Sequence, residues 1–346
     1  MTTAVVAVFF LVYLGMILGG LPFLQLDRTG VALLGAIALI GIGAVTPEEA
    51  ARSIHLPTVI LLFSFMVVSA QLRLGGFYPW FTVKLAERPL PPPALLAAVI
   101  VVVAALSAVF SNDIVCLSVA PVLAAACARR GLDPVPYLLA LACAANVGSA
   151  ATLIGNPQNM LIGSALRLSF SGYMLIAAVP VLLGLAVTWA VIAAQARGRW
   201  HARTETSPPG DRRDEGPVTL NRWQSGKGLG VAAALLLVFL FTGWSREVAA
   251  LIGAGILLTS RRLHSNKMLG LVDWELLVLF IGLFVVNHAF QQTGLTAAAV
   301  RDLAASGLDL EQPIPLFAAT VVLSNVVSNV PAVMLLLPLA KQLWSS

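Results

Sequence analysis

The chain has very little charge for its length. Only 11% of its 346 residues are charged, 59% are hydrophobic, and the mean hydropathy is +0.91, whereas a soluble domain carries about 25% charged residues. This composition excludes an ordinary soluble protein and predicts a polytopic membrane protein. The first apolar run, residues 4–18, has no basic segment before it, so we interpret it as the first membrane helix and not as a signal peptide.

Other absences exclude several classes of function. The chain has only three cysteines, with no CxxC pair and no histidine at a metal-ligand spacing, so we expect them to pack as small apolar residues. It has no GxxxxGK[ST] phosphate loop, and no paired acids or serine–base arrangement stands out, so we expect neither ATP-driven function, enzymatic activity nor a cofactor. Because the basic residues lie in loops between apolar runs, bilayer orientation explains the net charge of +5 better than nucleic-acid binding does.

Apolar runs near 20 residues in length indicate the membrane segments. We predict them at about 3–20, 30–45, 57–75, 93–110, 114–128, 135–152, 172–195, 228–243, 247–260, 273–290, 314–327 and 331–344. The runs at 93–128 and 314–344 form two pairs of short members, which we interpret as re-entrant hairpins. Two full crossings in each pair would leave every other segment's orientation unchanged. We interpret Asn287, His288, Gln291 and Gln292 as a helix end at the membrane interface.

Lysine and arginine near the ends of the runs predict the orientation. The segment 195–227 is rich in arginine and contains Pro208-Pro209-Gly210, so we expect a flexible cytoplasmic linker. Loops with Glu48-Glu49 and with Asp309–Glu311 then fall outside, and so does the N-terminus. Three basic residues oppose this arrangement: Arg167, Arg246 and Arg301.

Two polar interruptions break the apolar chain, Ser111-Asn112-Asp113 and the GNPQN sequence that starts at Gly155. An opened helix inside a membrane leaves backbone groups unpaired, which is tolerated only where protein or a water-filled cavity receives them. Each half-helix also brings a partial charge to the break. These interruptions therefore predict the binding region.

The first interruption recurs in the second half of the chain. Six identical residues lie 217 positions apart, pairing Leu106, Ser107, Val109, Ser111, Asn112 and Pro121 with Leu323, Ser324, Val326, Ser328, Asn329 and Pro338. At a shift of 218, Arg28, Gly35 and Gly76 match Arg246, Gly253 and Gly294. Because the first copy crosses the membrane an odd number of times, the second should be inverted, as in many secondary transporters. The second copy stops after its hairpin, so we expect a truncated repeat without a second broken helix.

Three stretches resemble the ion transporter superfamily, particularly its arsenite-permease and citrate-transporter-like branch of anion permeases. They are SNDIVCLSVAPVL from Ser111, NVGSAATLIGNPQN from Asn146 and SNVVSNVPAVMLLLP from Ser324. The resemblance implies that hairpin tips and discontinuous helices together bind substrate and coupling ion, and that scaffold helices form a homodimer. Asp113 stands where sodium-coupled dicarboxylate members carry threonine.

The predicted fold is an all-α polytopic membrane protein with two inverted-topology repeats, re-entrant hairpins and one discontinuous helix. Repeat 1 spans residues 1–194, with scaffold helices 1–90, a hairpin 91–130, a broken helix 135–166 and a last helix 172–194. Repeat 2 spans residues 228–346, with scaffold helices 228–312 and a hairpin 313–346.

The candidate site residues are polar or conformationally special positions in these breaks. For substrate or ion binding they are Ser111, Asn112, Asp113, Asn146, Ser149, Thr152, Gly155, Asn156, Asn159, Ser328 and Asn329. A sodium ion is predicted at Ser111, Asn112, Asp113 and Asn156, whose oxygens suit a hard cation. No catalytic residue is predicted.

The sequence favours a secondary permease of the inner membrane that works by alternating access, coupled to protons or sodium. Its stretches 91–128 and 132–165 contain no lysine or arginine, which favours an arsenite-type oxyacid or a small anion held by helix N-termini, amides and hydroxyls. Two alternatives remain open: a sodium–proton antiporter, because Asp113 lies beside Asn112, and a truncated, non-transporting membrane subunit.

The orientation can be tested by labelling single cysteines with a membrane-impermeant maleimide, after Cys116, Cys127 and Cys143 have been replaced. Arg203→Cys and Arg213→Cys should react only from the cytoplasmic side, whereas Glu49→Cys should react from outside, because the basic linker stays inside. The opposite labelling pattern would contradict both the orientation and the inversion of the repeats.

Overall fold

The computed structural model describes residues 1–21, 25–201, 219–260, 263–305, 307 and 309–345. Arg203 and Arg213, which the labelling prediction uses, lie outside the described residues, as does most of the predicted linker. The described residues form an α-helical protein with one small hairpin, in which β1 (Gly20–Leu21) pairs antiparallel with β2 (Leu26–Asp27).

The helices follow the predicted segments closely. Their bounds are α1 Thr2–Leu18, α2 Arg28–Gly41, α3 Pro47–Ser53, α4 Leu56–Leu74, α5 Phe77–Ala86, α6 Pro92–Val109, α7 Asn112–Arg129, α8 Pro134–Ser149, α9 Pro157–Ala165, α10 Phe170–Gln195, α11 Arg222–Phe241, α12 Arg246–Leu258, α13 Ser265–Leu269, α14 Trp274–Gln292, α15 Leu295–Ala305, α16 Pro313–Val327 and α17 Asn329–Ser345. Every predicted membrane segment corresponds to a helix. Six described helices, α4, α6, α7, α10, α11 and α14, are long and apolar enough to cross a membrane.

The internal repeat is visible in the register of the helices. Four helices of the second copy begin 218 residues after their counterparts, α12, α13, α14 and α15 matching α2, α3, α4 and α5. Gly76 and Gly294 both adopt positive φ, 71° and 74°, at the start of the helix that follows. A left-handed backbone costs glycine little, which explains why it occupies both positions. The structure confirms the predicted all-α fold with two repeats, hairpins and one broken helix.

The arms of the first hairpin are longer than the sequence indicated, and the second arm begins earlier. Helices α6 and α7 have 18 residues each, so both are as long as a membrane span, although the sequence made them look short. The predicted second arm began at residue 114, whereas α7 begins at Asn112 because the polar tip residues themselves form its first turn.

By their contacts, the residues form two compact units that do not coincide with the two repeats. The first contains residues 1–59, 164–167 and 273–346, and the second contains residues 60–163 and 168–272. In the first unit, α1, α2 and α14 pack on one another, and Phe9 of α1 stacks on Phe290 of α14 with ring centroids 3.8 Å apart. Tyr13 Oη donates to Asn287 Oδ1 at 2.9 Å. Asn287 is therefore a buried core residue, so its assignment to an interfacial helix end was wrong, whereas Gln291 and Gln292 are exposed as expected.

In the second unit, the C-terminal end of α4 packs against the N-terminal end of α11. Gln71 Nε2 donates to Gln224 Oε1 at 2.7 Å, and Ser225 Oγ donates to the carbonyl of Gly75 at 3.0 Å. The side chains of Gln71, Gln224 and Ser225 are all buried. Within this unit α6 packs on α8, α5 on α7, and α10 on both α6 and α8. This packing brings the first hairpin against the broken helix.

Candidate functional site

The broken helix consists of α8, a non-helical stretch over residues 150–156, and α9. Pro157 begins α9, a position where a missing backbone N–H costs nothing. Asn156 caps the same helix, since its Oδ1 accepts a hydrogen bond from the backbone N–H of Asn159 at 2.8 Å. The Gly-Asn-Pro sequence therefore ends the break and starts the second half-helix.

Side chains on both sides of the break satisfy its polar groups. Asn156 Nδ2 donates to Ser149 Oγ at 3.0 Å, and Ser149 Oγ donates to the carbonyl of Asn146 at 2.8 Å. Asn159 Nδ2 donates to the carbonyl of Thr152 at 2.9 Å and to Tyr173 Oη at 3.0 Å. Because Ser149, Thr152, Asn156 and Asn159 are all buried, this network supplies the partners that hydrocarbon could not.

The first arm of the hairpin lies directly against the break. A Cβ atom added to Gly148 would lie 2.3 Å from Cα of Ala104, and one added to Gly155 would lie 2.7 Å from the carbonyl oxygen of Ser107. Thr152 Oγ1 also donates to the carbonyl of Ala108. Two glycines thus permit a backbone-to-backbone approach that any side chain would prevent.

The tip of the first hairpin consists of Phe110 and Ser111, which separate α6 from α7. The carbonyl of Ser111 accepts from the N–H of Val115 at 3.1 Å, so Ser111 is the N-cap residue of α7. Asn112 Oδ1 is buried, and among the described residues no group donates a hydrogen bond to it. Ser107 Oγ, near the end of α6, is also buried and without a partner in the described part of the chain. Asp113 is exposed in the first turn of α7.

The tip of the second hairpin belongs to the first unit and is tighter. Ser328 alone separates α16 from α17, and its backbone has φ 91°. A non-glycine residue rarely adopts positive φ, and such strain is often stored at functional positions. The carbonyl of Ser328 accepts from the N–H of Ala332 at 3.2 Å, as Ser111 does for Val115. Ser328 is half-buried and Asn329 is exposed.

The predicted site residues therefore differ in location and in burial. It brings together Ser149, Thr152, Gly155, Asn156 and Asn159 around the break, with Ser111 and Asn112 at the adjoining hairpin's tip in the same unit. Asn146 contributes its carbonyl, but its side chain is exposed. Two further residues were missed, Ser107 and Tyr173. The repeat pattern had already marked Ser107, whereas nothing in the sequence distinguished Tyr173.

No group of three or more histidine, cysteine, aspartate or glutamate side chains in the described ranges could hold a metal ion. The predicted sodium site consists of one carboxylate, Asp113, one hydroxyl, Ser111, and two amides, Asn112 and Asn156, and Asn156 already uses its Oδ1 as a helix cap. The amide oxygen of Asn112 is a buried acceptor to which no group among the described residues donates.

Arg246 contacts the far end of α9. Its Nη2 donates to the carbonyl of Gly163 at 2.9 Å, and that oxygen also accepts from the N–H of Leu168 at 3.0 Å. A guanidinium at a helix C-terminus is favourable because the helix dipole is negative there. This contact explains the position of Arg246, which is one of the three basic residues that oppose the predicted orientation.

We expect Asn156→Ala to destabilise α9, because it removes the cap of a buried helix end, at a cost of about 1 kcal/mol. Asn156→Ser should retain more stability, since serine also caps helices. Hydrogen exchange should rise over residues 157–165 in the alanine variant, measured by mass spectrometry on the purified protein. Asn146→Ala, which changes an exposed side chain nearby, is the control. Unchanged exchange in Asn156→Ala would contradict the capping role.

Several proteins that are similar to this chain are named as transporters. An uncharacterized transporter of Mycobacterium tuberculosis (strain ATCC 25618 / H37Rv) is 28% identical over 340 residues, which cover 92% of this chain and 77% of the relative. Silicon efflux transporter LSI3 of Oryza sativa subsp. japonica is 37% identical over 166 residues, covering 48% of this chain and 34% of the relative. The fold is similar to that of the Alcanivorax borkumensis YdaH transporter, with a TM-score of 0.55 and 15% identity over 99% of this chain and 85% of that one.

The family model described as citrate transporter (CitMHS) matches residues 7–345. The match spans both hairpins, the broken helix and the scaffold helices, and it confirms the resemblance that the hairpin tips and the GNPQN break suggested. The chain is a multi-pass membrane protein and belongs to the citrate transporter family.

Proposed function

We propose that this protein is a secondary transporter of a small hydroxylated oxyacid of the arsenite type, or of a small anion, that works by alternating access. It performs no covalent chemistry on its substrate. The observation that carries the proposal is the buried Oδ1 of Asn112 at the hairpin tip, which has no donor among the described residues. A buried acceptor without a partner costs about 1 to 3 kcal/mol, and a ligand that donates a hydrogen bond to it recovers that free energy.

The hydroxyl of Ser107 is a second buried polar group of this kind. It is buried and without a partner in the described part of the chain, and it can both donate and accept. An acid that carries several O–H groups can donate to oxygens of this kind, whereas the amides around Asn156 are already engaged with the chain. These two oxygens favour a substrate that donates hydrogen bonds.

The distribution of charge favours a substrate with little or no charge. Residues 91–128 and 132–165, which include the first hairpin and the broken helix, contain no lysine or arginine. A multiply charged anion such as citrate would need such cations, because burying unpaired charge is costly. The rice relative is named a silicon efflux transporter, and dissolved silicon is a neutral hydroxylated acid. That name supports the same substrate class here.

Asp113 is the proposed coupling residue for protons or sodium. It is the only carboxylate between residues 91 and 129, and it lies beside Asn112 in the first turn of α7. A carboxylate can bind either a proton or a hard cation. The same arrangement describes a sodium–proton antiporter, which is the second candidate function.

We further propose that the protein lies in the inner membrane with its N-terminus outside and forms a homodimer through scaffold helices. The basic linker supports the orientation, and the family resemblance supports the dimer.

Substrate class can be tested in proteoliposomes that contain the purified protein. We expect saturable flux of arsenite or silicic acid, and little flux of citrate with or without Mg²⁺. Asn112→Ala should raise the KM of the transported acid roughly 10- to 100-fold, because it removes a buried hydrogen-bond partner. Asn266→Ala, at an exposed position of α13, is the control. Citrate as the preferred substrate would contradict the proposal, and so would sodium–proton exchange with no oxyacid flux.

Coupling can be tested with Asp113→Asn, which keeps the shape of the side chain and removes its titratable group. Flux of the acid down its own gradient should persist, while acceleration by an imposed pH or sodium gradient should disappear. Internal pH dyes and radiolabelled sodium measure the two gradients. Wild-type coupling in this variant would show that another group carries the coupling ion.

A further inference from the structure

A cavity of about 290 Å³ lies outside the region of the break, at the opposite end of α8. It is formed by the N-terminal end of α8 and the C-terminal end of α10, both in the second unit. The segment after α10 folds back beside it, since the N–H of Asp133 donates to the carbonyl of Trp200 at 3.0 Å and Leu132 bridges to His201. Residues 196–201 therefore lie beside the cavity.

Aromatic side chains place this end of the helices at a membrane–water interface. Trp189 Nε1 donates to the carbonyl of Pro93 at 3.1 Å, and Tyr137 Oη donates to the carbonyl of Pro92 at 3.2 Å. Trp200 lies 6.4 Å from Tyr137 between ring centroids. Tryptophan and tyrosine are enriched at the level of lipid headgroups. Trp189 is 40% exposed whereas Tyr137 is buried, so Trp189 is the residue that favours a position of the cavity at the level of the headgroups.

The walls of the cavity change from charged to apolar. Asp133 and Arg199 line it together with Gln195, and in the described ranges neither charged residue belongs to a salt bridge. Farther along the helices it is lined by Ile192, which is buried, and by Leu139, which is 49% exposed. An amphiphile fits such a surface, with its polar part at the charged side and its chains along the apolar side.

We propose that this cavity binds the headgroup of a zwitterionic phospholipid that carries a primary ammonium. One carboxylate and one guanidinium line the same cavity, so its charges complement an ammonium and a phosphate in one molecule. Arginine matches phosphate oxygens well, and its Nη2 contact with the carbonyl of Gln195, at 3.4 Å, leaves the other N–H groups for a ligand.

The carboxylate of Asp133 determines which lipid headgroup the cavity would prefer. Asp133 Oδ1 accepts from the N–H of Val135 at 3.0 Å and caps α8, and in the described part of the chain the second oxygen remains for a donor. A primary ammonium has three N–H donors, whereas a quaternary ammonium has none and an anionic headgroup would be repelled. The volume suits a headgroup, and the acyl chains would remain outside along Val135 and Leu139, both exposed.

The proposal can be tested by native mass spectrometry of the purified protein titrated with dioleoyl phosphatidylethanolamine, phosphatidylcholine or phosphatidylglycerol. The wild type should bind one phosphatidylethanolamine about tenfold more tightly than either other lipid. Arg199→Gln should lose that binding. Asp133→Asn, which keeps a helix cap, should lose the preference over phosphatidylcholine and phosphatidylglycerol.

Arg197→Gln is the matched control, since Arg197 is exposed at the same helix end and does not line the cavity. It should bind lipid as the wild type does. Leu139→Trp, which fills the apolar side, gives an independent test should Arg199→Gln prove unstable, and it should also reduce binding. Equal affinity of the wild type for the three lipids would overturn the proposal, as would wild-type selectivity in both Arg199→Gln and Asp133→Asn. The test requires no transported substrate, so its outcome is separate from that of the proposed function.

Discussion

The structure around the candidate site depends on one requirement, which is that backbone groups released by opening a helix in an apolar environment must find partners. Residues 150–156 are non-helical within a long apolar stretch, and each unpaired backbone group there would cost several kcal/mol. Asn156, Ser149 and Asn159 meet much of this requirement through hydrogen bonds with the chain itself. The break is consequently a closed, well-supported element.

This requirement separates two kinds of polar residue that look alike in the sequence. Amides such as Asn156 and Asn159 hold the opened backbone in place. The oxygens of Asn112 and Ser107, in contrast, are buried without partners in the described part of the chain. Residues whose hydrogen bonds are complete provide a rigid frame, and residues whose hydrogen bonds are incomplete retain the capacity to bind. Preorganisation of this kind reduces the free energy that must be spent on ordering a site.

The sequence predicted the long elements and their repetition, because both depend on local signals. Apolar runs define the spans, and the paired positions Gly76 and Gly294 keep the two copies in register. It did not predict short helices such as α5 and α15, since a window near 20 residues passes over them. Nor did it predict that Asn156 acts as a helix cap or that Asn287 is buried against Tyr13. Those roles depend on which side chains meet after folding, and a polar residue in an apolar run looks the same in either case.

The contact between Arg246 and Gly163 joins residues 83 positions apart and thereby constrains the order of assembly. The last turn of α9 contains no basic residue, and Arg246, which donates to the carbonyl of Gly163, is made only after α10 and α11 have been synthesised. Domains fold from the N-terminus during synthesis, and closing so long a loop costs conformational entropy that the hydrogen bond must offset. A nascent chain that stopped before α12 would therefore lack this hydrogen bond at the end of the broken helix, so the second repeat contributes to the stability of the first.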